Sequence, residues 1–307
     1  MTVSIAPILV VGEALIDVVH PVAGPTAEHV GGSPANVAKG LARLGHAVRF
    51  ATHIGADVRG RRITAELAGD GVTLTPGSVS APRTPSAAAH LDESGSASYE
   101  FDLAWSLESH LVLPEGGHLH TGSIAATMEP GATSLRRLVD RAQPQVTVSY
   151  DPNCRPAIMG EVAQARAQVE VLASLSDVVK ASDEDLAWLY GEQADPVAIA
   201  RQWSMGGPAL VVVTRGAQGA VAVMGGGVVE FPAGRTRVVD TVGAGDSFMS
   251  GLISGLLDLG LLGRTDARQR LGKTTYAEVA PAVERALACA AITVSRAGAN
   301  PPTRTEL

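Results

Sequence analysis

Nine residues near the C-terminal end, Asp240-Thr241-Val242-Gly243-Ala244-Gly245-Asp246-Ser247-Phe248, carry the most chemical information in this chain. Gly243 and Gly245 let a backbone turn approach a ligand closely, and a small-residue helix begins where they stop. At a helix start the unpaired N–H groups and the positive dipole end point outward, which suits a phosphate. Asp246 adds a carboxylate where anion binding alone would want none. A base beside an anion hole fits a hydroxyl being deprotonated as it attacks a phosphoryl group. A lone Gly-x-Gly-Asp turn also fits ordinary helix capping, so a second motif is needed to decide.

That motif is Gly31-Gly32-Ser33-Pro34-Ala35-Asn36-Val37-Ala38, running on through Leu41, Ala42, Leu44 and Gly45. Ser33 reads as an N-cap, Pro34 as the first helical residue and Gly45 as the stop. Ala38, Leu41, Ala42 and Gly45 fall on one core-facing side. Asn36 does not belong to that face. It lies in the first turn beside the glycine pair, where a small polar ligand can come close to backbone. Asp17, after Gly12-Glu13-Ala14-Leu15-Ile16, reads as a carboxylate at the end of a first strand, the edge where ligands bind in open α/β sheets.

These paired motifs, in this order at opposite ends of the chain, resemble the signatures of the ribokinase-like (PfkB) carbohydrate kinases. The resemblance implies ATP-dependent phosphorylation of a sugar hydroxyl, with Asp246 as general base and Gly243, Ala244 and Gly245 forming the anion hole. It implies that Asp17, Gly32 and Asn36 hold sugar hydroxyls. Asp151-Pro152-Asn153-Cys154-Arg155 is similar to the family's Asp-x-Asn-x-Arg segment, which brings Asn153 near phosphates and Arg155 near substrate. Arg155 reads equally as a surface ion-pair residue. Lys180-Ala181-Ser182-Asp183-Glu184-Asp185 departs from the family's Asn-x-x-Glu. Ser182 stands for the Asn beside ATP, and Asp185, one methylene short, stands for the Glu that reaches Mg²⁺ through water.

Thr214-Arg215-Gly216-Ala217-Gln218-Gly219 resembles the family's nucleotide loop, which implies that Thr214, Gly216 and Gly219 lie against ATP. The family also implies a monovalent cation, K⁺, held by Asp240 and Val242 with carbonyls matching Thr293, Arg296 and Gly298. Pro302 stands where a further side-chain oxygen would be supplied. A Walker A sequence is absent, so this is no P-loop kinase.

Elements must position these residues. Ile8–Val11, Val48–Ile54, Val146–Tyr150 and Leu210–Thr214 read as strands. Pro34–Leu44, Arg59–Ala68, Leu135–Ala142 and Glu161–Leu175 read as helices. This alternation predicts an α/β fold with a mainly parallel central sheet flanked by helices, as one ribokinase-like domain over residues 1–307. Two stretches break the alternation, 18–30 and 84–105, with Glu93-Ser94-Gly95 as a turn. They read as surface hairpins, or, by the resemblance, as a small β-sheet lid over the sugar, a lid the family often uses for homodimers. Gly225-Gly226-Gly227 reads as a hairpin turn.

With 307 residues, 46% hydrophobic and 18% charged, the chain reads as globular. A net charge of −7 gives no support to nucleic-acid binding. Two cysteines, Cys154 and Cys289, fit a reducing compartment, and the expectation is cytoplasmic, with no membrane segment. The Gly-Glu-x-Leu-Ile-Asp opening and the Lys180–Asp185 segment look most like bacterial fructokinases. Tyr99–Trp105 lacks the extra Arg of sugar-acid kinases, and 4% aromatic content argues against a nucleoside. Fructose is therefore the expected acceptor. Ribokinase and 2-keto-3-deoxygluconate kinase activities stand as alternatives, as does a non-catalytic sugar- or nucleotide-binding regulator.

Overall fold

The apolar run Ile8–Val11 forms β1, buried at every residue and central in the main sheet. The computed structural model describes residues 7–22, 24–91, 97–108, 111 and 116–307, so the turn expected at Glu93-Ser94-Gly95 lies outside the described residues. After β1 come β2 (Leu15–His20), β3 (Ala27–Gly31), α1 (Ser33–Arg43), β4 (Val48–Ala51), β5 (Ile54–Gly55), α2 (Val58–Gly69), β6 (Val72–Leu74) and β7 (Val79–Ala81). Then follow β8 (Ser86–Leu91), β9 (Ala97–Asp102), β10 (His118–Gly122), α3 (Gly131–Ala142), β11 (Thr147–Asp151), α4 (Pro156–Met159), α5 (Val162–Ser174) and β12 (Val178–Ser182). The chain continues through α6 (Asp183–Tyr190), α7 (Pro196–Met205), β13 (Leu210–Thr214), β14 (Ala220–Met224), β15 (Gly227–Phe231), α8 (Ala244–Asp258), α9 (Ala267–Leu271) and α10 (Tyr276–Val294).

Nine strands make the main sheet, ordered β15-β14-β13-β12-β11-β10-β1-β4-β6. It is parallel from β13 to β6 and antiparallel through β14 and β15, whose turn falls at the expected glycines. Both faces are covered. One apolar cluster joins Val10, Leu41, Phe50, Leu252 and Val283 on the α1/α8/α10 side; the other joins Leu9, Leu135, Val169 and Trp203 on the α3/α5/α7 side. Burial on two faces is why β13 reads Leu-Val-Val-Val-Thr without alternation. On α8, Gly251 and Gly255 let α10 approach at Ala286 and Ala282.

Strand order reverses beside β1, since the chain runs out to β4 and β6 and then returns to β10 on its other side. The crevice at the carboxyl ends of these strands is where open α/β sheets bind ligands. A second, four-stranded sheet, β3-β2-β8-β9, has β2 and β8 parallel and the outer pairs antiparallel. The stretches 18–30 and 84–105 thus form one sheet and not separate hairpins, and its strands start earlier, at Leu15, and end at Asp102. Trp105 already belongs to the core, donating from Nε1 to the Ala125 carbonyl.

Three expectations need correction. Asp17 does not end the first strand. The chain leaves β1 at Gly12 and restarts as β2, placing Asp17 inside the second sheet. The strand expected over Val48–Ile54 stops at Ala51, and Ile54 pairs instead with β7 in a separate two-stranded sheet. Ser33 is the first helical residue and caps nothing: Gly32 is the N-cap, and the Ser33 hydroxyl is drawn to a carboxylate from the far end of the chain.

Candidate active site

That carboxylate is Asp246, in the first turn of α8. Its Oδ1 accepts from Ser33 Oγ at 2.6 Å and its Oδ2 from Asn36 Nδ2 at 2.8 Å. The two motifs, more than two hundred residues apart, therefore meet at one group, which is 7% exposed. Gly243 is the N-cap of α8 at φ 75°. A Cβ there would lie 2.6 Å from the Ala299 Cβ, so both its conformation and its space require glycine. Gly243, Ala244 and Gly245 are half-buried at the positive end of α8, and the Ala244 N–H donates to the Thr241 carbonyl at 3.2 Å.

The residues expected to hold the sugar lie where β2, β3 and α1 follow β1. Asp17 packs its carboxylate on Gly31, where any Cβ would lie 2.1 Å from Oδ2. Gly32, at φ 102°, passes so close to Glu13 that a Cβ would stand 2.6 Å from that carbonyl. Burial pushes Asp17 above the usual carboxylate range, against the pull of Arg155 and His29. Glu13 is 5% exposed, accepts from the Ala125 N–H at 3.2 Å, and is pushed by burial to about 7. It ties the end of β1 to the turn after β10. Arg155 is exposed and folds back on Asn153, donating to its side-chain and backbone oxygens at 2.8 and 3.1 Å. It is not in an ion pair among the described residues, and its charge is felt by both Glu13 and Asp17.

Beneath the anion turn lies a buried ion pair, Lys180 Nζ to Asp151 Oδ2 at 2.9 Å. Burial raises Asp151 to about 6 despite this partner. Asp185 joins two loops: Oδ1 accepts from the Cys154 N–H at 2.7 Å, and Oδ2 from the Ser182 N–H at 2.8 Å. Ser182 answers by accepting from the Asp185 N–H, so the pair forms the capping box of α6. Among the described residues no group of three or more His, Cys, Asp or Glu could hold a metal.

Thr214 ends β13, and Gly216 and Gly219 flank the short turn into β14, both left-handed. Asp240 Oδ1 accepts from the Val242 N–H at 3.0 Å and Oδ2 from the Gly298 N–H at 2.8 Å. These two bonds hold its carboxyl below the usual range. They also bring the carbonyl-bearing segments 240–242 and 293–298 together, a carboxylate-and-carbonyl set suited to a hard cation. Thr293 Oγ1 bonds Ser247 Oγ at 2.7 Å, fixing α10 to α8 beside this set. Arg296 turns its side chain away, to Glu306.

Sequence reasoning gave no role to Lys180 or Glu13, and gave the Ser33 hydroxyl a capping role in place of its bond to Asp246. For Lys180 the signal was available: a charge directly after the apolar Val178-Val179 pair, inside a strand. For Glu13 and Ser33 it was not, because each depends on a partner far along the chain.

A mostly parallel sheet flanked by helices, a second small sheet and a glycine turn carrying a buried carboxylate are the features of a sugar-phosphorylating enzyme of the ribokinase type. Residues 6–306 match the pfkB family of carbohydrate kinases, and the chain belongs to that family. It is a phosphotransferase acting on a sugar. Among curated proteins it is 36% identical to a fructokinase of Rhizobium leguminosarum bv. trifolii, over 81% of this chain and 79% of that one. Among solved structures it is similar to a fructokinase double mutant of Vibrio cholerae O395 in a fructose-, ADP- and potassium-bound form (27% identity, TM-score 0.78, 96% and 94% coverage). It is also similar to a fructokinase of Xylella fastidiosa with bound ATP (27% identity, TM-score 0.79, 99% and 95% coverage). No helix among the described residues is long and apolar enough to cross a membrane.

Proposed function

We propose that the protein is a fructokinase, transferring the γ-phosphoryl group of ATP to a hydroxyl of fructose. The observation that carries the reading is the bond of Asn36 and Ser33 to Asp246, which sets the anion turn against the sugar loop. Asp17, Gly32, Asn36 and Arg155 bind the sugar; Asn153, Ser182, Thr214, Gly216 and Gly219 line the nucleotide. Asp246 takes the hydroxyl proton as the oxygen attacks, exchanging its Asn36 or Ser33 contact for the substrate. The Gly243–Asp246 N–H groups receive the charge of the transferring phosphoryl. A Mg²⁺ arriving with the nucleotide would supply charge neutralisation at the phosphates. Asp185 supports Mg²⁺ placement by holding the Asn153 and Ser182 loops in register.

Asp240, with carbonyls from Val242, Thr293, Arg296 and Gly298, holds K⁺ beside the anion turn. Two buried free thiols, Cys154 and Cys289, are in keeping with a cytoplasmic enzyme. The exposed Tyr99 and the half-buried Phe101 of the small sheet, stacked at 6.0 Å, support a homodimer through that sheet. The test is ADP release with Mg²⁺-ATP and K⁺ across fructose, ribose, 2-keto-3-deoxygluconate and adenosine. Selective turnover of fructose is expected. Turnover of another sugar would replace the substrate, and ATP binding without turnover of any would point to a regulator.

A further inference from the structure

One buried charge has no task in that scheme. Lys180 is 2% exposed, and among the described residues its pair with Asp151 is the one hydrogen bond its ammonium makes, although an ammonium carries three donors. A buried ion pair is a weak source of stability, since desolvation opposes the attraction. Gly245 supplies a second observation. It sits inside the first turn of α8, is not left-handed, and would be better served there by alanine. A Cβ at Gly245 would meet one group within 4 Å, Lys180 Nζ at 3.1 Å. The missing side chain leaves the ammonium open toward the anion turn. Asp151, Asp185 and Asp246 together keep Lys180 charged against the effect of burial.

We propose that Lys180 is a further catalytic residue, whose unused N–H donors bond a non-bridging oxygen of the transferring phosphoryl group past Gly245. The proposal rests on the kinase reading above. In the step, the sugar O–P bond forms and the bond from phosphorus to the β,γ-bridging oxygen breaks, its electron pair leaving on ADP. The hydroxyl proton goes to Asp246, and Lys180 keeps its own throughout. Asp151 is a positioning residue that holds the ammonium between turnovers.

The experiment compares wild type with Lys180→Met in steady-state kinetics, and in ADP binding with fructose, with and without aluminium fluoride as a mimic of the phosphoryl group. The variant should keep sugar and ADP affinity, lose about 10²–10³ in kcat, and lose the tightening that aluminium fluoride gives the wild type. Because Lys180→Met leaves Asp151 buried and unpaired, Lys180→Met/Asp151→Leu is measured beside it, with melting curves for both. A folded variant within about threefold of wild-type kcat, still tightened by aluminium fluoride, would overturn the proposal. Sugar-dependent ADP release missing from the wild type itself would overturn the kinase reading and this inference with it.

Discussion

Replacing Gly243 by alanine tests whether the anion turn is held by its own backbone. The residue sits at φ 75° and ψ 4°, a conformation that disfavours any Cβ by about 1–2 kcal/mol. The new methyl would stand 2.6 Å from the Ala299 Cβ and 2.9 Å from its Cα, an overpacking worth about 1–3 kcal/mol. Together these amount to roughly 2–5 kcal/mol, or a melting temperature lowered by roughly 3–8 °C. The strain can be relieved by moving the turn away from the Arg296–Asn300 segment. Such movement shifts the N–H groups of α8 relative to the phosphoryl, so kcat should fall about 10²-fold. Sugar affinity should hold, because Asp17 and Gly32 sit on other elements. Adding Ala299→Gly removes the methyl–methyl contact and should restore part of the melting temperature. Calorimetry and coupled ADP assays read both effects. A Gly243→Ala protein that melts within about 1 °C of wild type with undiminished kcat would refute the reasoning.

Asp246→Asn should lower kcat by about 10²–10⁴ while fructose affinity stays within a few-fold, and near-normal turnover would remove the base assignment. His118 and His120 are buried and held down by desolvation to about 3, bonded to Thr147 and Ser149. Their folded values are depressed, so their stability contribution is complete above the unfolded value near 6.5 and is lost as pH falls toward 3, by about 1.4 kcal/mol per unit for each group. His118→Asn removes one such group, so its urea-midpoint deficit relative to wild type should narrow between pH 6.5 and 4.5. A deficit that stays constant with pH would contradict the assignment. Asp185→Asn turns an amide group toward a backbone N–H and should destabilise by about 1.5–3 kcal/mol, seen as a lower urea midpoint. Asp240→Asn should raise the K⁺ concentration needed for half-maximal turnover, and unchanged K⁺ dependence would exclude that site.

Local signals carried most of the architecture. Strand β13 and helices α1 and α2 lie within a residue or two of their expected spans, because periodicity and Gly or Pro punctuation are local properties. The glycine motifs were legible for the same reason, since each is a short backbone demand. What sequence reasoning missed depends on distant partners. Ser33 looks like a cap in isolation, and only α8 reveals that its hydroxyl has a stronger acceptor. Asp17 looks like a strand end because Gly12–Ala14 breaks β1 so briefly that two strands read as one. The pairing of β2 with β8 is set by register across an intervening αβ segment, which no short window contains. The bond from the Cys154 N–H to Asp185 likewise joins two loops 31 positions apart, beyond any short window.

The Ser33–Asp246 bond, spanning 213 positions, also orders events during synthesis. The sugar loop is made early, while the carboxylate and anion turn emerge only after the central strands have been translated. A nascent chain can therefore close its small sheet without any means of reacting with ATP. On the function proposed above, phosphoryl transfer would switch on with the docking of α8 against α1, and turnover would report on that late closure more directly than on secondary structure. A fragment ending before Asp240 could retain folded strands and still be silent, and supplying the missing segment in trans would restore chemistry only by rebuilding this one junction.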